Sequence, residues 1–549
     1  MQDVLTKITD TLGAVRVMQR SGLIPFPRVD EGIGVLLAVS KYGPFAGSVH
    51  AHAAQGHGRV ALIDERGPLT YRELEEQSNA LARAWQAEGI GVGSVVGAMC
   101  RNHRGLVLTM LAAAKSGVRL VLMNTGFARP QLVDVAHREG LRHFVFDSEF
   151  SDIADALPTD ITTFLSWVDE TLSTPPAEQP PRTLDDLIAG QSTDAVPAPK
   201  QHGVSILLTS GTTGTPKGAP RGRTSPFVTA QFLDRIPLRP KQTMLMAAPA
   251  FHGTGLSQLG LGLALENTVV MQRRFDPEST VRLLAEHRAD TLVLVPTMLQ
   301  RIIDLGPDVL SKYNTSSLKV IFAAGSALSP DLCIRTQDAF GKVLHNFYGS
   351  TEVAAVTVAT PDDLERAPGT AGRPPATCHV ALIDDAGRRI TEPDIVGRIF
   401  AKSGLSFEGY TDGRDKERID GMLSTGDVGH FDKDGLLFVD GRDDDMIISG
   451  GENVYPLEVE NVIAERPDVL DVAVIGVEDD EFGHRLRAFV VAAPSSARDA
   501  NEIRTHVKSN LARYKVPRDV IFIEELPRNA TGKLLRRVLI EMETETETD

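Results

Sequence analysis

Cysteine is scarce in this chain: Cys100, Cys333 and Cys378 stand far apart among 549 residues and are odd in number. That pattern excludes a disulfide framework and a thiolate metal cluster, and it points to a reducing cytoplasm in which all three serve as packing residues. Long apolar runs are lacking too. No stretch approaches the roughly 20 residues needed to cross a bilayer, and no basic segment leading into an apolar core, the mark of a secretory signal, is found at the start. Positive charge is outnumbered, with 57 Lys and Arg against 73 Asp and Glu, a formal charge of -16. Nucleic-acid phosphates would be repelled by such a surface, so no nucleic-acid partner is expected, and any anionic ligand needs a locally basic site. Hydrophobic residues, at 42%, are ample for globular packing, and the length calls for two or more domains.

The chain is organised around residues 209–218, Thr-Ser-Gly-Thr-Thr-Gly-Thr-Pro-Lys-Gly. They follow the apolar run Ser205 to Leu208, which reads as a buried strand, so the loop leaves the end of a sheet. Glycines Gly211, Gly214 and Gly218 let the backbone close around a ligand, while Lys217 and a row of hydroxyls supply donors. This combination suits polyphosphate. The common phosphate loop needs Gly-Lys-Ser/Thr, whereas Pro216 precedes Lys217 and Gly218 follows it, which argues against a kinase or GTPase. A polar linker is the other reading of the stretch.

Strands at Val60 to Asp64, Val95 to Met99 and Arg119 to Met123 alternate with helices opening at Thr70 and Gly105, an order that implies parallel pairing with crossovers. Thr70 and Glu73 form a capping-box signature. Residues 175–199 read as a surface excursion with a short helix over Leu184 to Ile188. Further strands are expected at Thr291 to Val295, Val320 to Ala323 and Val343 to Phe347, with a helix from Ser329-Pro330 to near Gly341. Ligands of open parallel sheets sit beyond the carboxyl ends of strands, so loops 209–218, 324–328 and 348–352 converge on one site. Beyond Gly441 the pattern changes to a smaller α+β unit. At the other end, Leu5, Ile8, Leu12 and Val15 recur at helical spacing and Ile33 to Val39 is an apolar run. Packing on the body of the protein is the favoured reading of this extension, and peripheral membrane contact the other.

Six segments in order carry a resemblance: 209–218, Ala323 to Leu328, Tyr348 to Glu352, Ser424-Thr425-Gly426-Asp427, Gly441 to Glu460 and Pro527 to Lys533. From about residue 50 to 540 the chain resembles the adenylate-forming superfamily of acyl-CoA synthetases, peptide-synthetase adenylation domains and firefly luciferase. The resemblance implies an α/β fold with a large N-terminal domain of mainly parallel sheets flanked by helices, plus a small mobile α+β C-terminal domain. Its boundaries here are an extension over 1–49, the large domain over 50–440, a hinge at 441–446, the small domain over 447–540 and a disordered acidic tail over 541–549. It also implies ATP, Mg²⁺ and CoA as the molecules used: a carboxylate attacks the α-phosphate of ATP, giving acyl-AMP and pyrophosphate, and a thiol then displaces AMP.

By the same resemblance, Thr209, Ser210, Gly211, Thr212, Thr213, Gly214 and Lys217 hold the β- and γ-phosphates. Gly325, Ser326, Ala327, Tyr348, Gly349 and Ser350 line the nucleotide, with Tyr348 stacked on adenine. Thr351 meets the α-phosphate and Glu352 helps hold Mg²⁺. Asp427 takes the paired ribose hydroxyls and Arg442 accompanies it. Lys533 bridges carboxylate and α-phosphate. Asp444 is the hinge pivot about which the small domain turns after adenylation, presenting Ser449, Gly450, Gly451, Glu452 and Asn453 to the pantetheine arm of CoA.

The segment Phe251 to Gly255 resembles the acyl pocket, with His252 and Gly253 between carboxylate and thiol. Amino-acid-activating relatives place an aspartate there to pair the substrate ammonium, and none stands between Pro249 and Leu256; an unpaired buried cation would be costly. Small residues at Gly325 and Ala327 and the apolar extension favour a medium- to long-chain fatty acid. Other readings are an aryl or other carboxylic acid, a carrier-protein thiol in place of CoA, and a nucleotide-binding protein without turnover.

Overall fold

Alternating strands and helices build two large sheets that share one helical layer. The computed structural model describes residues 2–23, 29–169, 181–209, 217–221 and 229–546, apart from 405, 408, 412, 414, 450–451, 480–482, 495 and 530–531. In the first sheet the strands lie in the order Ala354–Ala359, Leu344–Ser350, Val320–Ala324, Thr291–Leu294, Thr243–Met246, Thr268–Met271, Val60–Asp64, Gly67–Thr70. In the second they lie in the order Arg182–Thr183, Thr162–Trp167, His143–Asp147, Val95–Met99, Arg119–Leu122, Val204–Thr209, Lys217–Arg221. Central pairs are parallel, as crossover helices require, and antiparallel hairpins close the edges at 204–221 and 344–359.

Helices Tyr71–Ala87 and Arg104–Ser116 pack on each other and bury Leu74, Leu81, Trp85, Leu106 and Leu111 at 0–1% exposure. Each such side chain contributes about 1.5–3 kcal/mol of burial. The capping box at Thr70 forms, with the Glu73 amide donating to Thr70 Oγ1 at 3.2 Å and the Thr70 amide donating to Glu73 Oε2 at 2.8 Å. Ser329 Oγ likewise caps Pro330–Phe340 by accepting from the Leu332 amide.

A third, antiparallel sheet over residues 379–442 went unread in the sequence. Its strands Met422–Phe431 and Leu437–Arg442 pair Asp427 with Arg442 in register. The final unit has a five-stranded sheet, with helices Pro456–Ala464 and Ala500–Asn510 packed around Ile447, Val459, Ile463, Val474 and Val507.

Three expectations change. Tyr348, Gly349 and Ser350 lie at the end of strand Leu344–Ser350 rather than in a loop. The tail is not disordered throughout: helix Arg536–Thr546 is anchored by Leu539, at 0% exposure, and an Arg537–Glu541 pair one turn apart, and it runs across residue 540. Helix α1, Gln2–Ser21, docks through Ala14, Val17 and Met18, leaving Leu12 and Val15 at 56% and 38% exposure. The helical spacing was right and the buried face was rotated; the side chains of Leu5 and Ile8 lie outside the described residues. Helix α2, Val29–Gln55, carries the apolar run.

Candidate active site

One cavity of about 3250 Å³ lies where the first sheet, the antiparallel sheet and the small unit meet. Strand Leu344–Ser350 and the turn after it bring Tyr348, Thr351 and Glu352 to its wall. The turn is tight: Ser350 Oγ accepts from the amides of Glu352 and Val353, each at 3.2 Å, and a Cβ on Gly349 would lie 1.8 Å from the Ala354 carbonyl oxygen. No larger residue fits there.

Tyr348 donates its hydroxyl proton to Asp427 Oδ2 at 2.5 Å, so the two sheets meet through these side chains. Burial raises the Asp427 carboxyl above the ordinary aspartate range, against the Tyr348 hydrogen bond and the charges of Arg442, Lys416 and Lys533. Burial also holds the Tyr348 phenol well above its usual value. Arg442 donates from Nε to Asp444 Oδ1 at 2.7 Å and from Nη2 to Oδ2 at 3.3 Å. Asp444 itself sits in the single 3₁₀ turn Asp443–Asp445 that joins the antiparallel sheet to the small unit.

Lys533 enters the cavity from the small unit. Its loop closes on itself: the Lys533 amide donates to Asn529 Oδ1 at 2.9 Å, and the amides of Asn529 and Gly532 return to backbone carbonyls of Lys533 and Asn529. Gly532 adopts φ +73°, and a Cβ there would lie 2.0 Å from Thr297 Oγ1, in the first turn of the large-domain helix Pro296–Ile303. Burial, and then the charge of Arg442, lower the Lys533 ammonium below the ordinary lysine value, while Asp445, Asp427 and Asp444 pull the other way.

On the opposite side, Lys217 opens strand Lys217–Arg221, paired with Thr209. Its Nζ stands 5.3 Å from the Tyr410 ring centroid, and the Tyr410 hydroxyl donates to Glu352 Oε1 at 2.5 Å. Tyr410 thus touches both the loop lysine and the acidic residue. Sequence reasoning gave no role to Tyr410 or Thr297, which act on Glu352 and Gly532 far away in the chain and leave no periodic signal; Asn529 lies within the segment Pro527 to Lys533, but its bond to the Lys533 amide was not read. Residues Ser210, Gly211, Thr212, Thr213 and Gly214 lie outside the described residues, as do Gly450 and Gly451.

His252 precedes helix Gly253–Ala264 at the cavity wall. Its Nε2 is sealed from solvent without a hydrogen-bond partner among the described residues, and burial lowers its pKa to about 4, so the ring is neutral near pH 7. Gly325, at φ +105°, faces Val295 and Thr254 beside it, and Ser326 and Ala327 continue the wall. Ser449 and Glu452 pair across adjacent strands, and neither is among the described residues that line the cavity. The structure therefore assembles Tyr348, Asp427, Arg442, Glu352, Lys217 and Lys533 around one space.

A metal can be accommodated in a particular way. No group of three or more His, Cys, Asp or Glu side chains gathers among the described residues. Glu352, at 9% exposure and oriented by Tyr410, fits an ion held by one carboxylate together with phosphate oxygens, the usual mode for Mg²⁺.

Residues 49–411 match the family described as AMP-binding enzyme, and residues 458–533 match the AMP-binding enzyme C-terminal domain. An indoleacetate–CoA ligase of Aromatoleum aromaticum is 32% identical over 88% of this chain and 95% of its own. A fatty acid–acyl-carrier-protein ligase of Streptomyces coeruleorubidus is 30% identical over 89% of this chain and 94% of its own. The crystal structure of ATP-bound MatB from Rhodopseudomonas palustris, 27% identical, aligns with a TM-score of 0.77 over 88% of this chain and 96% of that one.

The chain belongs to the AMP-binding enzyme family. It is an AMP-forming acid–thiol ligase acting on acyl or aryl acids, with ATP, Mg²⁺ and CoA as the molecules its class uses. No helix among the described residues is long and apolar enough to cross a membrane.

Proposed function

We propose that the enzyme activates a medium- to long-chain fatty acid as acyl-AMP and transfers it to CoA. The observation that carries this reading is that the cavity lined by Gly325 and His252 is also lined by the apolar side chains of Met110, Phe232, Leu256 and Leu261. An acid whose carboxylate meets the nucleotide would lay its tail there.

In the first step a carboxylate oxygen forms a bond to the α-phosphorus as the bond to pyrophosphate breaks. Lys533, reaching the same space as Asp427 and Arg442, bridges carboxylate and α-phosphate, where negative charge develops. Lys217 and the 209–218 loop hold the leaving phosphates, Thr351 meets the α-phosphate, Tyr348 stacks on adenine and Asp427 binds the ribose. Mg²⁺ at Glu352 would neutralise phosphate charge. In the second step the CoA thiol gives its proton to solvent and its sulfur bonds to the acyl carbon as the bond from that carbon to the AMP phosphate oxygen breaks, and AMP departs. Rotation about Asp444 withdraws Lys533 and brings Ser449 to Glu452 to the pantetheine arm. The neutral His252 lies between carboxylate and thiol.

AMP and pyrophosphate formation across straight-chain, branched and aromatic acids, with and without CoA, tests this reading. CoA-dependent turnover peaking on alkyl acids is the expected result. A peak on aromatic acids would replace it with the aryl reading, which the indoleacetate ligase relative favours. Pyrophosphate release without acyl-CoA would point to a carrier-protein thiol, as in the second relative.

The same reading places the enzyme in the cytoplasm, where its three buried, unpaired cysteines stay reduced. It touches lipid peripherally through the exposed Leu12, Leu36 and Leu37, at 56%, 43% and 66% exposure. Sedimentation with phospholipid vesicles that does not change in Leu36→Ser/Leu37→Ser would remove the lipid contact from it.

A further inference from the structure

The family match begins at residue 49, yet residues before it reach the substrate cavity. Helix α2 breaks at Gly43–Pro44: Gly43 takes φ +82°, and proline cannot supply the amide that would continue the ladder. The two halves then cross in backbone contact, since a Cβ on Gly47 would lie 2.5 Å from the Ala38 carbonyl.

This corner is fastened to the large domain at several points. Tyr42, 2% exposed, donates its hydroxyl proton to the Val196 carbonyl at 2.8 Å. His50 Nδ1 lies 2.9 Å from Glu75 Oε1, and Glu75 in turn receives the buried Lys115 ammonium at 2.8 Å. The fastened corner sets Phe45 over Gly260, its ring atoms 3.5 and 3.6 Å from where a Cβ on that glycine would be. Val39, Phe45, Leu256 and Gly260 all line the cavity, so α2 and helix Gly253–Ala264, in contact at Phe45 and Gly260, both contribute to its wall.

We propose that α2 closes the distal end of the acyl channel and that Phe45, seated on Gly260, sets the length of apolar tail the enzyme accepts. The proposal rests on the fatty-acid reading and adds its length limit. Gly253, beside the expected carboxylate position at His252, and Gly260 are seven residues apart on one helix, about 10 Å of rise. An extended alkyl chain with C–C bonds near 1.5 Å covers that distance in about eight bonds. Tails shorter than this end before Phe45; longer ones must pass it.

Two readouts on the full chain test the proposal. The first is the ratio of kcat/KM for dodecanoate to that for hexanoate. The ratio falls at least tenfold in Phe45→Trp and Gly260→Leu and rises severalfold in Phe45→Ala. A general folding defect would instead depress both substrates in every variant. The second readout needs no turnover: binding of a dansylated undecanoic acid, followed by fluorescence, weakens at least tenfold in Phe45→Trp. Ratios within twofold of wild type in all three variants, or probe binding that is absent or indifferent to residue 45, would overturn the length limit. Probe binding that responds to residue 45 in an enzyme that turns over no fatty acid would keep the channel and discard the fatty-acid substrate.

Discussion

Asp427 and Lys533 face the same cavity but are held there by different means. Asp427 is part of a sheet: its strand pairs with the strand of Arg442, and Tyr348 from the first sheet donates to it at 2.5 Å. Lys533 is tied by its own amide to Asn529, and Gly532 beside it fits against Thr297 of the large domain. One half of the site is therefore held within the sheets and the other by a contact between the two units. On the mechanism proposed above, the first half serves both chemical steps and the second serves one step and leaves.

The most damaging way to probe this contrast is Lys533→Ala. Loss of a cation aimed at developing phosphate charge lowers adenylation by about a thousandfold, while thioester formation from supplied acyl-adenylate continues. Equal loss in both half-reactions, measured separately, would mean that Lys533 is as permanent a part of the site as Asp427. Gly532→Ala comes next. The new methyl meets Thr297 Oγ1 and adopts a left-handed φ, a backbone cost of about 1–2 kcal/mol before the clash. Adenylation falls tenfold or more, and Thr297→Gly in the same chain restores part of it. Failure of that rescue would show that the strain lies within the loop and not at the docking surface.

These residues also mark what could be read in the sequence. The large-domain strands, the Thr70 capping box and the order of the six segments were legible, because periodicity, caps and glycine turns are local signals. Their convergence was legible only in part. Strand ends pointed Tyr348 and Glu352 at one site, but Asp427 lies on an antiparallel sheet whose short strands, such as Arg389–Ile390 and Arg418–Ile419, carry too few residues for an alternation to register. The α1 face was misjudged because Ala14 is as buried as any leucine of the core, at 0% exposure, and small residues do not stand out in an apolar stripe. The tail was misjudged because its Glu-Thr composition says nothing of Leu539, which anchors the helix from outside the repeat.

A smaller effect is expected at Tyr410, which belongs to the first half. Tyr410→Phe removes the hydroxyl that orients Glu352 and keeps the ring beneath Lys217. Loss of such an outer partner weakens metal binding by about tenfold. The Mg²⁺ concentration for half-maximal adenylation therefore rises by about that factor, with little change in rate at saturating Mg²⁺. An unchanged Mg²⁺ requirement would detach Tyr410 from the metal.

The mildest probe is pH, which leaves every residue in place. Burial and the neighbouring Arg442 charge depress Lys533 below the ordinary lysine value, so its charged form is lost as pH rises through that lowered pKa. On the proposed mechanism adenylation needs the ammonium, and its rate should bend downward on the alkaline side earlier than an ordinary lysine would allow. His252, at about 4, is neutral throughout the neutral and alkaline range and adds no bend there. Thioester formation from supplied acyl-adenylate, for which the proposal withdraws Lys533, should lack the alkaline bend. The two half-reactions, followed across pH on the same enzyme, thus separate a delivered lysine from a resident one. The same downward bend in both would place Lys533 in the cavity for both steps and remove the distinction between the two halves.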